Sequence, residues 1–310
     1  MSVQQATRKP AVAKRPQVAI MNAVHDLPVL VARDEGFFKD EGLDIEFVTT
    51  PGMAQVTTSH FVKFDSVFDR PLDSTYNEGG IDQYRMCEWG IMKRAVEAAG
   101  AGLRERKIVA LGASMSSFAI VVTRDSRAYE PEQLKDQPIA VTPNNGSHFT
   151  TLKMMEGFLT PEHIKTTNAG SMPKRLEALR RGEVAAVSLM EPWISVAQKQ
   201  GLRILIESHS TRSEAAGDDL DGPTLAAMFR AQARAVELLE RDPTPWIHYL
   251  IAETGGLLQP HELQKWRLLH APPQPYTRER FDDTYNWTVK WNMVVPGATY
   301  ENTVDNRAWA

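Results

Sequence analysis

Histidine is the side chain best suited to acid–base work near neutral pH, because its ordinary pKa of about 6.5 lies close to working conditions. His25 follows the first apolar run of the chain. His60 sits in a stretch with Phe61, Phe64, Phe68, Asp69, Arg70 and Tyr76. Either histidine is a candidate general acid, a role that also needs a dry cleft. Cys87, the single cysteine, is a third proton donor, although a lone cysteine more commonly packs as an inert small hydrophobe. Arg85, in the run Arg85-Met86-Cys87-Glu88-Trp89-Gly90, has the planar fork that holds a carboxylate through two hydrogen bonds. Trp89 adds a face for stacking an aromatic ring, and Glu88 belongs to the same polar cluster.

A second group of candidates gathers at Asn144-Asn145-Gly146-Ser147. This bend opens a helix, and free N–H groups at a helix start favour a carboxylate or sulfonate by about 0.3–1 kcal/mol when exposed. The plainer reading is a turn with an N-cap. Asn145, Gly146, Ser147 and the adjacent His148 are candidate ligand contacts, as is Ser116 in the Ser114–Ser117 stretch. Glu191 and Trp193 follow another apolar run, where a helix cap and a hinge contact compete with a ligand role. His25 has a plainer reading too, as a histidine at a helix start bonded to backbone, and Asp26 reads as an N-cap for a helix beginning at Pro28. The stretch containing His60 reads either as a lid or as a loop packing its own aromatics. Trp287 and Trp291, one helical turn apart, read as a core stripe. His163, His209, His248, His261 and His270 lack ligand spacing and are assigned to surfaces or caps.

What must position these residues is an alternation of strands and helices. Val18–Met21, Leu43–Val48, Lys107–Leu111, Phe118–Thr123, Pro138–Thr142, Val184–Met190 and Ile204–Glu207 read as strands. Pro28–Phe38, Met92–Ala99, Ser147–Phe158, Pro173–Arg181 and Pro192–Gln200 read as helices. From Thr224 the pattern becomes mainly helical, through Thr224–Arg241, Pro243–Glu253, Gln259–Leu269 and Arg278–Met293. The result is an α/β chain with a largely parallel sheet in two lobes. At 310 residues, 42% hydrophobic and 24% charged, the chain holds about two domains of ordinary globular composition. A net charge of −4 argues against a nucleic-acid or anionic-membrane surface. One cysteine excludes an internal disulfide and a multi-thiolate metal site. No metalloprotease, Walker or dinucleotide motif appears, so no metal or cofactor is expected. No apolar run is long enough to cross a bilayer. Residues 1–17 carry basic residues without a following apolar stretch, so a cytoplasmic location is expected.

Three segments carry a family resemblance. His25–Ile45, with Pro28, Ala32, Gly36-Phe37-Phe38 and Gly42-Leu43 in place, is the longest. Ile139–Thr142 running through Gly146-Ser147 into a helix is the second. Leu179–Val187 with Glu191-Pro192-Trp193 is the third. Together they resemble the type II periplasmic-binding-protein superfamily, in the branch of nitrate- and sulfonate-binding proteins and the pyrimidine synthase of thiamine biosynthesis. The resemblance implies two α/β lobes around a ligand cleft: residues 17–110 with 206–310, and residues 111–205, behind a flexible extension at 1–16. It also implies a place for His25 and Arg85 at the cleft. Because aromatic-acid decarboxylases and a desulfinase share this scaffold, the expected function is a cytosolic, cofactor-free lyase acting on a small anionic aromatic or heteroaromatic molecule. The alternative is a non-catalytic solute-binding protein of an ABC importer, or a sensor. A pyrimidine-precursor synthase is third, since that enzyme's cysteine cluster is missing. A homodimer is left open.

Overall fold

The computed structural model describes residues 15–49, 68, 70–294 and 296–310; His60, Phe61, Phe64 and Asp69 lie outside the described residues. The chain opens with β1 (Gln17–Ile20), α1 (Ala23–Asp34), α2 (Phe37–Asp40) and β2 (Glu46–Thr49). It continues with α3 (Pro71–Asn77), β3 (Gln83–Cys87) and α4 (Glu88–Ala101). A 16-residue strand, β4 (Lys107–Val122), leads into β5 (Pro138–Val141), α5 (Gly146–Met155), β6 (Lys165–Asn168), α6 (Met172–Arg180), β7 (Ala186–Met190) and α7 (Trp193–Lys199). The 14-residue β8 (Arg203–Ala216) returns through the molecule. It is followed by α8 (Gly222–Arg241), α9 (His248–Glu253), β9 (Leu268–His270), α10 (Arg278–Lys290) and α11 (Tyr300–Thr303).

The described strands form one sheet in the order β2-β1-β3-β8-β4-β7-β5-β6, with β9 also on β4. The two long strands explain the two lobes. β4 and β8 pair antiparallel along almost their whole length, with register shifts between Leu111 and Met115. β3 joins only the Arg212–Ala216 end of β8. β7 joins only the Phe118–Val121 end of β4, while β9 takes Ser114–Ser116 on the same edge. Each end of the β4–β8 ribbon therefore carries its own parallel set, β2-β1-β3 at one end and β7-β5-β6 at the other. β1, β3, β5 and β7 turn their carboxyl ends toward the space between, where ligands bind in open α/β sheets.

Several expectations change at this level. The helix expected from Pro28 begins five residues earlier: Asn22 is the N-cap, its side chain accepting from the His25 N–H at 3.1 Å, and Pro28 lies inside the helix. Asp26 is not a cap. Its carboxylate takes the N–H groups of Met21 (2.5 Å) and Asn22 (2.8 Å), bracing the turn between β1 and α1. Part of the expected lid is α3, whose Leu72, Asp73 and Tyr76 are buried. The helix expected over Gln259–Leu269 is two short 3₁₀ turns and then β9. His270 is buried rather than superficial. Trp287 and Trp291 do face inward, and both indoles donate to the Glu156 carboxylate just beyond α5, at 2.9–3.0 Å. That contact ties the C-terminal helix α10 to the lobe containing α5.

Candidate functional site

A cavity of about 830 Å³ of empty space, its open mouth included, lies at these strand ends. One side is built by Met21, Asn22 and His25 after β1, and by Met86 of β3. The other is built by Thr142, Asn145 and Ser147 around the β5–α5 turn, with Met172, Arg175 and Met190. Phe118 of β4 and Arg212 of β8 line it from the shared strands, and Arg70, Asp73 and Arg94 close one wall. Four methionines and a phenylalanine make an apolar surface that adapts to shape. The wall also contains four arginines and, among the described residues, one carboxylate.

Arg212 decides the chemistry. It is 1% exposed, stacks over the Phe118 ring at 5.5 Å, and donates to Ser210 O at 3.2 Å. Its Nε is buried without a partner. Burial pulls its pKa below the ordinary guanidinium value, with Cys87 and Glu88 only partly offsetting this. The register explains the missing counter-charge. On β3, Arg85 lies directly opposite Glu214, whereas the position opposite Arg212 holds Cys87. A protonated thiol does not balance a cation. A buried, uncompensated charge costs several kcal/mol, and a bound anion relieves that cost.

His25 supplies a neutral donor beside it. The Asn22 amide oxygen is committed to the His25 N–H, so its NH₂ faces the ring and donates to Nδ1 at 2.9 Å. Nε2 therefore carries the ring proton, and it is buried with no partner. Burial, then Arg212, then Arg85 hold the His25 pKa well below its ordinary value. The ring is a neutral group with a free N–H rather than a charged acid.

Glu253 sits behind this corner, its carboxylate accepting the Ala23 N–H at 2.6 Å at the start of α1. Burial raises its pKa to about 7. A carboxyl whose pKa rises on folding holds its proton more firmly folded than unfolded, so stability falls as pH climbs from about 4.5 through 7. The displacement from 4.5 to about 7 corresponds to something on the order of 3 kcal/mol. Glu253→Gln keeps the acceptor and removes the charge. Thermal denaturation is expected to show the variant more stable than the parent at pH 8, with the gap closing toward pH 4.5.

The remaining candidates are placed as follows. Asn145 and Ser147 line the cavity with His25. Ser147 Oγ is engaged by the Thr142 N–H at 2.9 Å, and Asn145 is the α5 N-cap. A Cβ on Gly146 would stand 3.2 Å from both Arg212 Nη1 and Phe118 Cζ, so the missing side chain lets the guanidinium lie against the turn. Gly146→Ala is expected to displace Arg212 by a few tenths of an ångström. Anion affinity, read by calorimetry, should fall about tenfold with little change in melting temperature.

Arg85 is a correction: it does not line this cavity. It is 1% exposed and held by Asp26 (2.5 Å), Glu214 (3.3 Å) and Ala19 O (3.0 Å). Cys87 is buried at the start of α4, and burial pushes its thiol pKa up, away from any role as a proton donor near neutral pH. Glu88 accepts two bonds from Arg280 (2.7 and 3.0 Å) and one from Tyr276 (2.8 Å), which consumes it structurally. Trp89 packs between Phe149 and Trp287 at ring distances of 6.1 and 5.7 Å, off the cavity wall. Ser116 lies within β4 between β8 and β9. His148 uses its ring on Asn144 N and Thr166 Oγ1, and burial lowers its pKa to about 4. Glu191 accepts from the Ser195 N–H and Oγ–H in the first turn of α7 and from Arg267, while Trp193 is buried in the same turn. Arg212 and Arg175 escaped the sequence reading. The available signal was weak: Arg212 and Glu214 are two charges on one face of a strand, a pattern that elsewhere marks a solvated edge.

Among the described residues no group of three or more His, Cys, Asp or Glu gathers as a metal site, and no helix is long and apolar enough to cross a membrane. No curated protein matches the chain in sequence. Solved structures match almost end to end. The alkanesulfonate-binding protein SsuA from Xanthomonas axonopodis pv. citri, bound to MOPS, is 17% identical over 95% of this chain and 99% of its own, with a TM-score of 0.70. The periplasmic nitrate-binding protein NrtA from Synechocystis PCC 6803 is 12% identical over 95% and 87%, at 0.68. The desulfurization enzyme DszB is 13% identical over 93% and 96%, at 0.59. At these identities the likeness is one of fold. A family profile described as "NMT1-like family" matches residues 13–212, well over half of the sequence. The chain belongs to the NMT1-like family and has the two-lobed type II periplasmic-binding-protein fold that these structures share.

Proposed function

We propose that the protein is a solute-binding protein that closes its two lobes on a small organic anion and performs no chemistry on it. The observation that carries this reading is Arg212, wholly buried on the cavity wall with an unsatisfied Nε and no carboxylate partner among the described residues. The His25 Nε2–H beside it is a second donor for the same anion. Met21, Met86, Met172, Met190 and Phe118 suit an apolar body attached to that anion, which favours a sulfonate or carboxylate over an inorganic ion such as nitrate. The lyase reading has less support among the described residues. It needs a proton donor near neutral pH, and both His25 and Cys87 are shifted the wrong way for that role, while His60 lies outside the described residues. In this reading residues 17–110 with 206–310 form one lobe and 111–205 the other, moving about β4 and β8.

Titration calorimetry with alkanesulfonates, benzenesulfonate, benzoate and nitrate tests the proposal, with product analysis of each mixture. Organic anions are expected to bind without turnover, and nitrate to bind more weakly than any of them. Equal affinity for uncharged isosteres such as benzamide, or conversion of a bound acid, overturns it.

A further inference from the structure

Arg175 is the second guanidinium on the cavity wall without a carboxylate partner among the described residues. It is 2% exposed, on α6. Its Nε donates to Gly170 O at 3.1 Å, one Nη to Ser188 O at 2.6 Å, and the other to Thr142 Oγ1. All three acceptors are neutral, and a guanidinium has five N–H donors, so two remain. Burial lowers its pKa to about 9, with no charged neighbour contributing. Arg212, by contrast, acts electrically on His25. The two cations also hang on different supports: Arg175 on the loops after β5 and β6 and on β7, Arg212 on β8 against β3. They are held by different parts of the fold, and Met21, Met86, Met172 and Met190 line the same cavity.

Asp73, the one carboxylate on the wall, is taken by Arg94 through two bonds at 2.8 and 3.0 Å. Among the described residues three guanidiniums on the cavity wall make no ion pair with a carboxylate: Arg212, Arg175 and the half-buried Arg70, which donates to Pro143 O at 2.7 Å. A ligand with one negative charge leaves a fully buried cation unbalanced; a ligand with two leaves only the less buried Arg70.

We propose that the ligand carries two separated anionic groups, carboxylate or sulfonate, one seated on Arg212 and His25 and the other on Arg175, joined by an apolar spacer. This rests on the binding reading above and narrows its ligand. The test is calorimetry on the full chain with matched probes: benzoate against isophthalate and terephthalate, and propanesulfonate against 1,3-propanedisulfonate. Sulfate, with both charges on one centre, serves as control. A separated dianion is expected to bind at least about tenfold tighter than its monoanion partner. Arg175→Gln is expected to close that gap, with the separated dianion losing at least about tenfold more affinity than its monoanion partner. Dianions no tighter than monoanions, sulfate as tight as the separated dianions, or Arg175→Gln weakening both kinds alike overturns the proposal. The wild-type comparison decides the matter even where Arg175→Gln does not fold. If no anion of either kind binds, the binding reading falls and takes this one with it; equal binding of both kinds removes only the two-group ligand.

Discussion

Arg212→Met is expected to abolish anion binding while leaving the unliganded protein as stable as its parent, or more stable. Truncating one partner of a buried, hydrogen-bonded charge pair costs about 2–5 kcal/mol of affinity, so a loss of about 100-fold or more should appear in calorimetry. Stability should move the other way. In the unliganded molecule this guanidinium is buried opposite a thiol, with its Nε unpartnered, and methionine fills similar space without a charge to desolvate. Met in its place also retains contact with the Phe118 ring. Binding and melting temperature therefore separate, which is the mark of a residue kept for its ligand. A variant that loses both together would show Arg212 to be structural, and the proposed function would lose its main support.

Arg85→Met should do the opposite, although Arg85 matches Arg212 in type and burial. Arg85 bridges Asp26 and Glu214, both fully buried, and also holds Ala19 O. Removing it strands two carboxylates that have no water to turn to, and breaking a buried pair in this way costs about 3–5 kcal/mol. For a chain of this size the melting temperature should drop by roughly 10 °C. Asp26 also braces Met21 and Asn22, so the damage spreads to the turn that orients His25. Glu214→Gln added to Arg85→Met removes one stranded charge and should recover part of the loss. A melting temperature within about 2 °C of the parent for Arg85→Met would refute the buried network as a source of stability.

These two arginines also show how far the residues alone could be read. The α/β alternation and the lobe scaffold were legible because β1, β5 and β7 are short apolar runs followed by helices, and three motif segments bracket them. His25, Asn145 and Ser147 were legible as residues at strand ends, and they do line the cavity. Arg85 drew attention as a fork-shaped cation near a helix start. Its ion partners come from positions 26 and 214, which nothing local links to it. Arg212 was invisible for the same reason, since its meaning depends on which residue β3 places opposite. The start of α1 was misplaced because proline is commonest in a first helical turn, and here it sits in the sixth position. The segment before Leu269 carries helical spacing but finishes as a strand because β4 offers an unpaired edge at Ser114–Ser116.

The helix α5 begins at the cavity with Gly146 and Ser147 and ends beside Glu156, whose carboxylate holds the indole N–H groups of Trp287 and Trp291. Ten residues of helix are a rigid rod of about 15 Å. In the proposed binding reading, a tilt of that rod on ligand closure would shift a negative charge relative to two neighbouring fluorophores at its far end. Tryptophan emission is then expected to change as an organic anion is titrated in, a readout that needs no attached dye.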